Sequence, residues 1–216
     1  MDLFDDLPLP IDALRTELAP GAVLLRGLGR ADDVQILEAI EAVIAQAPLR
    51  HLQTPGGYTM SIQTTRCGSM GWVSEPGGYR YAASNPGTRQ PWPAMPPCLM
   101  DFAVRAAAEA GYPDFVPDSC MVNQYLPGTK LGLHQDRDER DLRAPVVSLS
   151  LGLPATFLFG GLERTGATQR YRLAHGDVVV WGGPARLAFH GVLPVAEGDH
   201  VLLGRRRVNV TFRKVG

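Results

Sequence analysis

The stretch Arg207-Val208-Asn209-Val210-Thr211-Phe212-Arg213 alternates strictly between polar and apolar side chains. A period of two is the mark of a strand, because successive side chains leave the ribbon on opposite faces. Val208, Val210 and Phe212 form a face suited to a core. Arg207, Asn209, Thr211 and Arg213 form the other. Working back along the chain, similar short runs occur at Cys120–Leu126, Leu131–Asp136, Val146–Leu151, Thr156–Phe159, Gln169–Leu173, Asp177–Trp181 and Ala188–Val192. So many short strands at close spacing predict a β-sandwich or barrel.

Upstream the pattern changes. Cys98 to Ala110 is Ala-rich and ends at Gly111 before Pro113, which predicts a helix with a glycine stop. Asp32-Asp33 can open an earlier helix, with Val34, Leu37, Ile40 and Ile44 on one stripe, and Ala22–Leu25 before it reads as a short strand. Between the helices, residues 52–96 hold Pro55-Gly56-Gly57, Pro76-Gly77-Gly78, Pro86-Gly87 and Pro91-Trp92-Pro93, together with Tyr58, Trp72, Tyr79 and Tyr81. This is loop or hairpin material, either a functional lid or a plain surface excursion. The expected class is α+β, mainly β. A single domain spans 1–216, with a strand/helix region at 1–50, an excursion at 51–96, a supporting helix at 97–112 and a β core at 118–214.

Composition narrows the function classes. The 216 residues are 45% hydrophobic and 20% charged, as in a globular chain and unlike a disordered or coiled-coil one. The net charge of −1 conceals an asymmetry, −5 over residues 1–50 and +4 over the rest. That allows a modest phosphate-contacting face and excludes a strongly basic nucleic-acid binder. Cys67, Cys98 and Cys120 are an odd, widely spaced set without a CxxC, which argues against a disulfide framework or a cysteine zinc site. Met1 to Pro10 carries no basic leader, and no apolar run approaches a membrane span, so a cytoplasmic protein is expected; a monomer is expected because nothing in the sequence demands an oligomer.

Two HxD patterns are candidates for metal chemistry. His134-Gln135-Asp136 places an imidazole and a carboxylate on one face of a strand, and His190 offers a third ligand downstream. Two His and one carboxylate with open positions suit non-haem Fe(II) and its co-substrates. His175-Gly176-Asp177 is the second; a turn at Gly176 favours a structural role, although spacing leaves it open as a ligand pair. His51 and His200 lie in loop-like contexts and carry no assigned role.

The polar face of 207–213 has two readings. A solvated sheet face is one. The other is a bound dicarboxylate, since guanidinium forks pair with carboxylates in a planar, two-pronged way. Met121, Asn123 and Tyr125 share a face of their own strand and are able to line the same pocket.

These pieces together resemble the bacterial AlkB family. The resemblance rests on Asn123-Gln124-Tyr125, Pro127-Gly128, Leu133–Asp136, Thr54–Met60, Val146–Gly152, His175–Gly183 and Asn209–Arg213, in that family's order over about Gly21 to Arg213. It implies a double-stranded β-helix, or jelly roll, preceded by helices and a nucleotide-recognition lid. It implies Fe(II), 2-oxoglutarate and O2, and the oxidative demethylation of 1-methyladenine and 3-methylcytosine in single-stranded DNA, with double-stranded DNA and RNA as further substrates. By the same resemblance the iron ligands are His134, Asp136 and His190, and His175 is not a ligand. Arg213 is expected on the distal carboxylate of 2-oxoglutarate and Arg207 near the iron end, with Asn123, Tyr125 and Asn209 adding hydrogen bonds. Trp72 is expected to stack on the flipped base, Tyr79 to contact the substrate backbone, Asp138 to meet the base edge and Arg164 to touch substrate. Ala188 stands where some members carry a larger residue, which widens the pocket, and Gln63 and Thr64 fall at variable lid positions.

Such chemistry accounts for the residue types. Base flipping costs a few kcal/mol, and aromatic stacking returns about 1–3 kcal/mol per base. The competing readings are a 2-oxoglutarate oxygenase acting on a protein or small molecule, and a non-catalytic metal- or nucleic-acid-binding jelly roll.

Overall fold

The computed structural model describes residues 14–216. The stretch Met1 to Pro10, on which the absence of a leader was read, lies outside the described residues. In chain order the elements are β1 (Arg15–Ala19), β2 (Ala22–Leu25), α1 (Asp33–Gln46), β3 (Arg50–Gln53), β4 (Thr59–Gly68), β5 (Gly71–Glu75), β6 (Gly78–Ala82) and α2 (Pro97–Glu109). They continue with β7 (Ser119–Tyr125), β8 (Leu131–His134), β9 (Val146–Gly152), β10 (Ala155–Gly160), β11 (Thr168–Leu173), β12 (Val178–Trp181), β13 (His190–Val192) and β14 (Arg207–Arg213).

The strands form an antiparallel jelly roll. The large sheet runs β1-β2-β12-β9-β14-β7-β4-β3, the small one β11-β10-β13-β8, and β5-β6 is a separate hairpin. In β14 the alternation decides which side faces what. Val208, Val210 and Phe212 meet Ile36, Ile40, Val43, Leu99 and Phe102 in a core between the large sheet and the two helices. On the opposite side of the large sheet, Leu24, Val179 and Trp181 pack with Phe157, Phe159 and Val192 of the small sheet. The polar face of β14 points into this second space and is buried along its whole length. A solvated face is therefore excluded.

Several boundaries and faces differ from the sequence reading. Residues 59–68 are no surface excursion: β4 pairs with β7 from Gln63↔Gln124 to Gly68↔Ser119 and extends the large sheet. Gln63 and Thr64 thus lie on a sheet strand, and β5-β6 (71–82) is the part of the segment that forms a separate hairpin. β1, which the sequence reading did not include, pairs with β2 at the sheet edge. In α1 the buried stripe is Ile36, Ile40 and Val43, rotated from the expected one, and Val34 is 58% exposed. Pro97 opens α2, where a missing N–H costs nothing. Gly111, at φ +96°, supplies the left-handed residue after it.

Candidate active site

The metal-ligand candidates come from the β13-β8 end of the small sheet. His134 on β8 pairs directly with His190 on β13, and their ring centroids are 4.3 Å apart. Asp136 follows two residues after His134. His134 Nδ1 lies 3.0 Å from the carbonyl of Gly132, and His190 Nδ1 lies 3.0 Å from that of Ala188. A proton on each Nδ1 satisfies these carbonyls and leaves both Nε2 lone pairs for an ion. Nε2 of His134 stands 3.8 Å from Asp136 Oδ1, and Nε2 of His190 stands 3.9 Å from Oδ2. The ligand atoms of the three residues all lie within 4.8 Å of one another. Burial and the neighbouring His134 lower the pKa of His190 to about 3, so its imidazole is neutral and ready to ligate. Burial pushes the Asp136 carboxyl up, but Arg213 and the two histidines more than reverse this and hold it well below the usual range.

The two arginines of β14 occupy different ends of the pocket. Arg213 donates from Nε and Nη2 to Asp136 Oδ2 at 2.9 and 2.7 Å, beside the metal-ligand group. Arg207 lies deeper, 1% exposed, with its guanidinium 4.8 Å over the Tyr125 ring. Its Nη2 donates to Ser150 Oγ at 2.9 Å, while Nε and Nη1 have no hydrogen-bond partner among the described residues. Asn123 Oδ1 is another buried atom without one. A buried guanidinium with two unpaired donors is costly unless an anion completes it. Asn209 is different: its amide donates to Ser148 Oγ and the Leu149 carbonyl, and its Oδ1 accepts from Thr211, so its polar atoms are occupied within the sheet.

Above the triad stands the β5-β6 hairpin. Trp72 stacks on Tyr79 at 4.8 Å and 21°, and its indole N–H donates to Asp138 Oδ2 at 2.7 Å. Arg164, on the loop between β10 and β11, lies at the rim. All of these residues line one cavity of about 660 Å³. The second HxD lies elsewhere. His175 Nδ1 accepts from the Gly152 N–H, its Nε2 meets Asp33 at 2.9 Å, and Asp177 accepts the N–H groups of Gly27 and Ala174. That pair fastens a turn to the start of α1.

Sequence reasoning missed a buried charged cluster behind the triad. Glu139, 6% exposed, binds Arg186 at 3.0 Å and accepts the Tyr81 hydroxyl at 2.6 Å, with Arg213 Nε at 3.4 Å. Arg186 also donates to the carbonyl of Asp136 at 2.6 Å. The run Arg137-Asp138-Glu139-Arg140-Asp141 has the composition of a solvated loop, and nothing in it separates Glu139 from its neighbours.

Comparison with known proteins matches this geometry. A family model described as the 2OG-Fe(II) oxygenase superfamily matches residues 21–213. The chain is 50% identical, over 216 residues, to the alpha-ketoglutarate-dependent dioxygenase AlkB of Escherichia coli strain K12, covering 100% of this chain and 98% of that one. The chain belongs to the AlkB family of 2-oxoglutarate- and Fe(II)-dependent dioxygenases. Among other AlkB-related proteins, it is 36% identical over 138 residues to the tRNA demethylase abh1 of Schizosaccharomyces pombe, covering 57% of this chain and 45% of that one. The solved structure of OsALKBH1 superposes with a TM-score of 0.81 at 28% identity, covering 93% of this chain and 99% of that chain. AlkB-family chemistry takes Fe(II), 2-oxoglutarate and O2. The residues here fit them: two free imidazole lone pairs and a carboxylate for the metal, and unpaired guanidinium donors for a carboxylate. No helix among the described residues is long and apolar enough to cross a membrane.

Proposed function

We propose that this AlkB-family dioxygenase demethylates alkylated nucleic acid, with 1-methyladenine and 3-methylcytosine in single-stranded DNA as preferred targets and double-stranded DNA and RNA as further ones. The observation that carries this reading is the continuity of the cavity. It runs from His134, Asp136 and His190 to the Trp72–Tyr79 stack, with Asp138 between them. A flat cationic ring suits that arrangement, because an aromatic face and a carboxylate edge both favour it. The tRNA demethylase among the relatives supports a nucleic-acid substrate.

In this reading His134, Asp136 and His190 hold Fe(II). When bound with 2-oxoglutarate and O2, the metal supplies oxidation of the methyl C–H bond, releasing formaldehyde, succinate and CO2. The roles of the arginines follow their positions and are exchanged from the sequence expectation. Arg207 takes the distal carboxylate of 2-oxoglutarate on its free Nε and Nη1, helped by Tyr125. Arg213 orients Asp136 and lies near the metal-end carboxylate, with Asn123 beside the chain of the co-substrate. Asn209 shapes the pocket through Ser148 and Thr211. Trp72 stacks on the base, Tyr79 and Arg164 contact its flanks, and Asp138 meets its edge. The hairpin is the part of the 51–96 lid that carries the base platform, and residues 118–214 are the catalytic core. A monomer acting in the cytoplasm completes the reading.

The test is a short single-stranded oligonucleotide with one 1-methyladenine, incubated with the protein, Fe(II), 2-oxoglutarate and air, and read by mass spectrometry. Loss of one methylene mass that needs both Fe(II) and 2-oxoglutarate, and that vanishes in His134→Ala, is expected. Succinate formed while the oligonucleotide stays unchanged would move the substrate to another class.

A further inference from the structure

Trp72 and Tyr81 face each other across the β5-β6 hairpin as a register pair. Each reaches down to one of two consecutive carboxylates. Trp72 Nε1 donates to Asp138 and the Tyr81 hydroxyl donates to Glu139. The two contacts are chemically unlike. Asp138 is exposed and lines the cavity where a base would lie, so its contact with Trp72 is open to competition. Glu139 is buried among Tyr81, Arg186 and Arg213, and its carboxylate is fully engaged. Burial pushes the Tyr81 hydroxyl above its ordinary pKa, Arg213 opposes this, and Glu139 adds to it, so the hydroxyl stays protonated and donates.

We propose that Glu139 is a positioning residue that anchors the Trp72–Tyr81 rung of the hairpin and steadies Arg213, leaving Asp138 free to exchange Trp72 for the substrate. Toward this carboxylate pair the hairpin thus has one permanent and one exchangeable clasp, in addition to the bonds from Ser74 to the Gln53 carbonyl and from Trp92 to the Ala82 carbonyl. Without the permanent one, a substrate that captured Asp138 would leave the Trp72–Tyr81 rung with no carboxylate to hold it in place. The same carboxylate sits behind Arg213, so platform and cofactor side share a single fixed point. The exchange at Asp138 rests on the demethylase reading; the anchoring itself does not.

Two near-isosteric variants separate the two arms. Tyr81→Phe deletes the hydroxyl alone. Hydrogen exchange of the amides in residues 71–82, measured without substrate, should speed up roughly tenfold, as befits one lost charge-assisted bond. KM for the methylated oligonucleotide should rise several-fold with a smaller change in kcat, and the Kd of 2-oxoglutarate on the Mn(II)-loaded protein should hold. Glu139→Gln still accepts from Tyr81 but loses its charge beside Arg213. Hairpin exchange should stay near that of the unaltered protein while 2-oxoglutarate binding weakens. Unchanged hairpin exchange in Tyr81→Phe overturns the proposal, as does a 2-oxoglutarate Kd unmoved in a folded Glu139→Gln. Should Glu139→Gln not fold, the exchange measurement on Tyr81→Phe decides alone. Failure of the demethylase reading would appear separately, as an unaltered protein that leaves the oligonucleotide intact.

Discussion

Replacing Arg207 tests the cofactor end of the pocket most directly. Its guanidinium is buried, donates once to Ser150, and keeps Nε and Nη1 unpaired. If those two donors receive the distal carboxylate of 2-oxoglutarate, each charge-assisted bond contributes about 1.5–3 kcal/mol. Arg207→Lys keeps the charge but not the fork, so one bond is lost and the Kd rises roughly ten- to a hundredfold. Arg207→Met loses both, about 3–6 kcal/mol, or a weakening of roughly a hundred- to ten-thousandfold. Stability should move differently. Among the described residues Arg207 is a buried charge without an acidic partner, and methionine can still pack beneath the Tyr125 ring. Removing that charge relieves desolvation at the cost of about 1 kcal/mol for the orphaned Ser150 hydroxyl, so the fold should be unharmed or firmer. Calorimetric titration of 2-oxoglutarate into Mn(II)-loaded protein and urea melts of metal-free protein measure the two quantities. A Kd within about threefold of the original in Arg207→Met, or a loss of more than about 3 kcal/mol in its urea melt, would show Arg207 to be a structural brace and refute the reasoning.

Arg213→Ala should behave differently from Arg207→Met, because it strips Asp136 of the two bonds Arg213 donates; metal affinity and 2-oxoglutarate affinity should fall together, which metal titration followed by calorimetry will reveal. Trp72→Ala removes the stacking face and should raise KM for the methylated oligonucleotide by roughly five- to a hundredfold. Its 2-oxoglutarate Kd should stay unchanged, so a shift there would count against a substrate-only role. Gly191→Ala places a Cβ 2.8 Å from the Leu131 carbonyl, on the seam where β13 meets β8. Both strands must part, so metal affinity should drop along with stability, by more than about 1 kcal/mol in a urea melt. Thiol titration should find no more than Cys98 reactive in the native protein and all three cysteines in denaturant, since Cys67 and Cys120 are fully buried and burial raises the Cys120 pKa.

The jelly roll was legible because its strands are short, alternating and β-branched, and β14 runs over the residues its alternation predicted. What alternation could not reveal is the medium on the polar side. A row of Arg, Asn, Thr and Arg reads alike whether it faces water or lines a polar cavity; only the small sheet closing over it decides, and that closure depends on pairings far apart in sequence. β4 was hidden for a related reason. Its alternation is broken by Thr64-Thr65-Arg66-Cys67, and the Pro55-Gly56-Gly57 and Pro76-Gly77-Gly78 turns on either side made the whole segment look like loop. It gains its strand character from pairing with β7, a tertiary override of local signal.

The site shows the same division more sharply. Chemistry marks His134, Asp136 and His190 as a candidate ligand set, but spacing left His175-Gly176-Asp177 open beside it, and only the family resemblance chose between them. The order of the two arginines cannot be read from the pattern, because alternation places Arg207 and Arg213 on one face without saying which end holds the metal. Asp136 accepts from Nε and Nη2 of Arg213, which sets that arginine beside the ligand triad and supports the roles proposed for the pair. Glu139 lies further still from what pattern can show. Three residues beyond a metal-ligand carboxylate, in a run of alternating charges, it has every outward feature of a solvated side chain. The fold turns it inward, where two arginines make its burial affordable and a tyrosine from the hairpin completes it. Residues that bind through their own chemistry announce themselves in a sequence; those that act by holding others are visible only once the partners are in place.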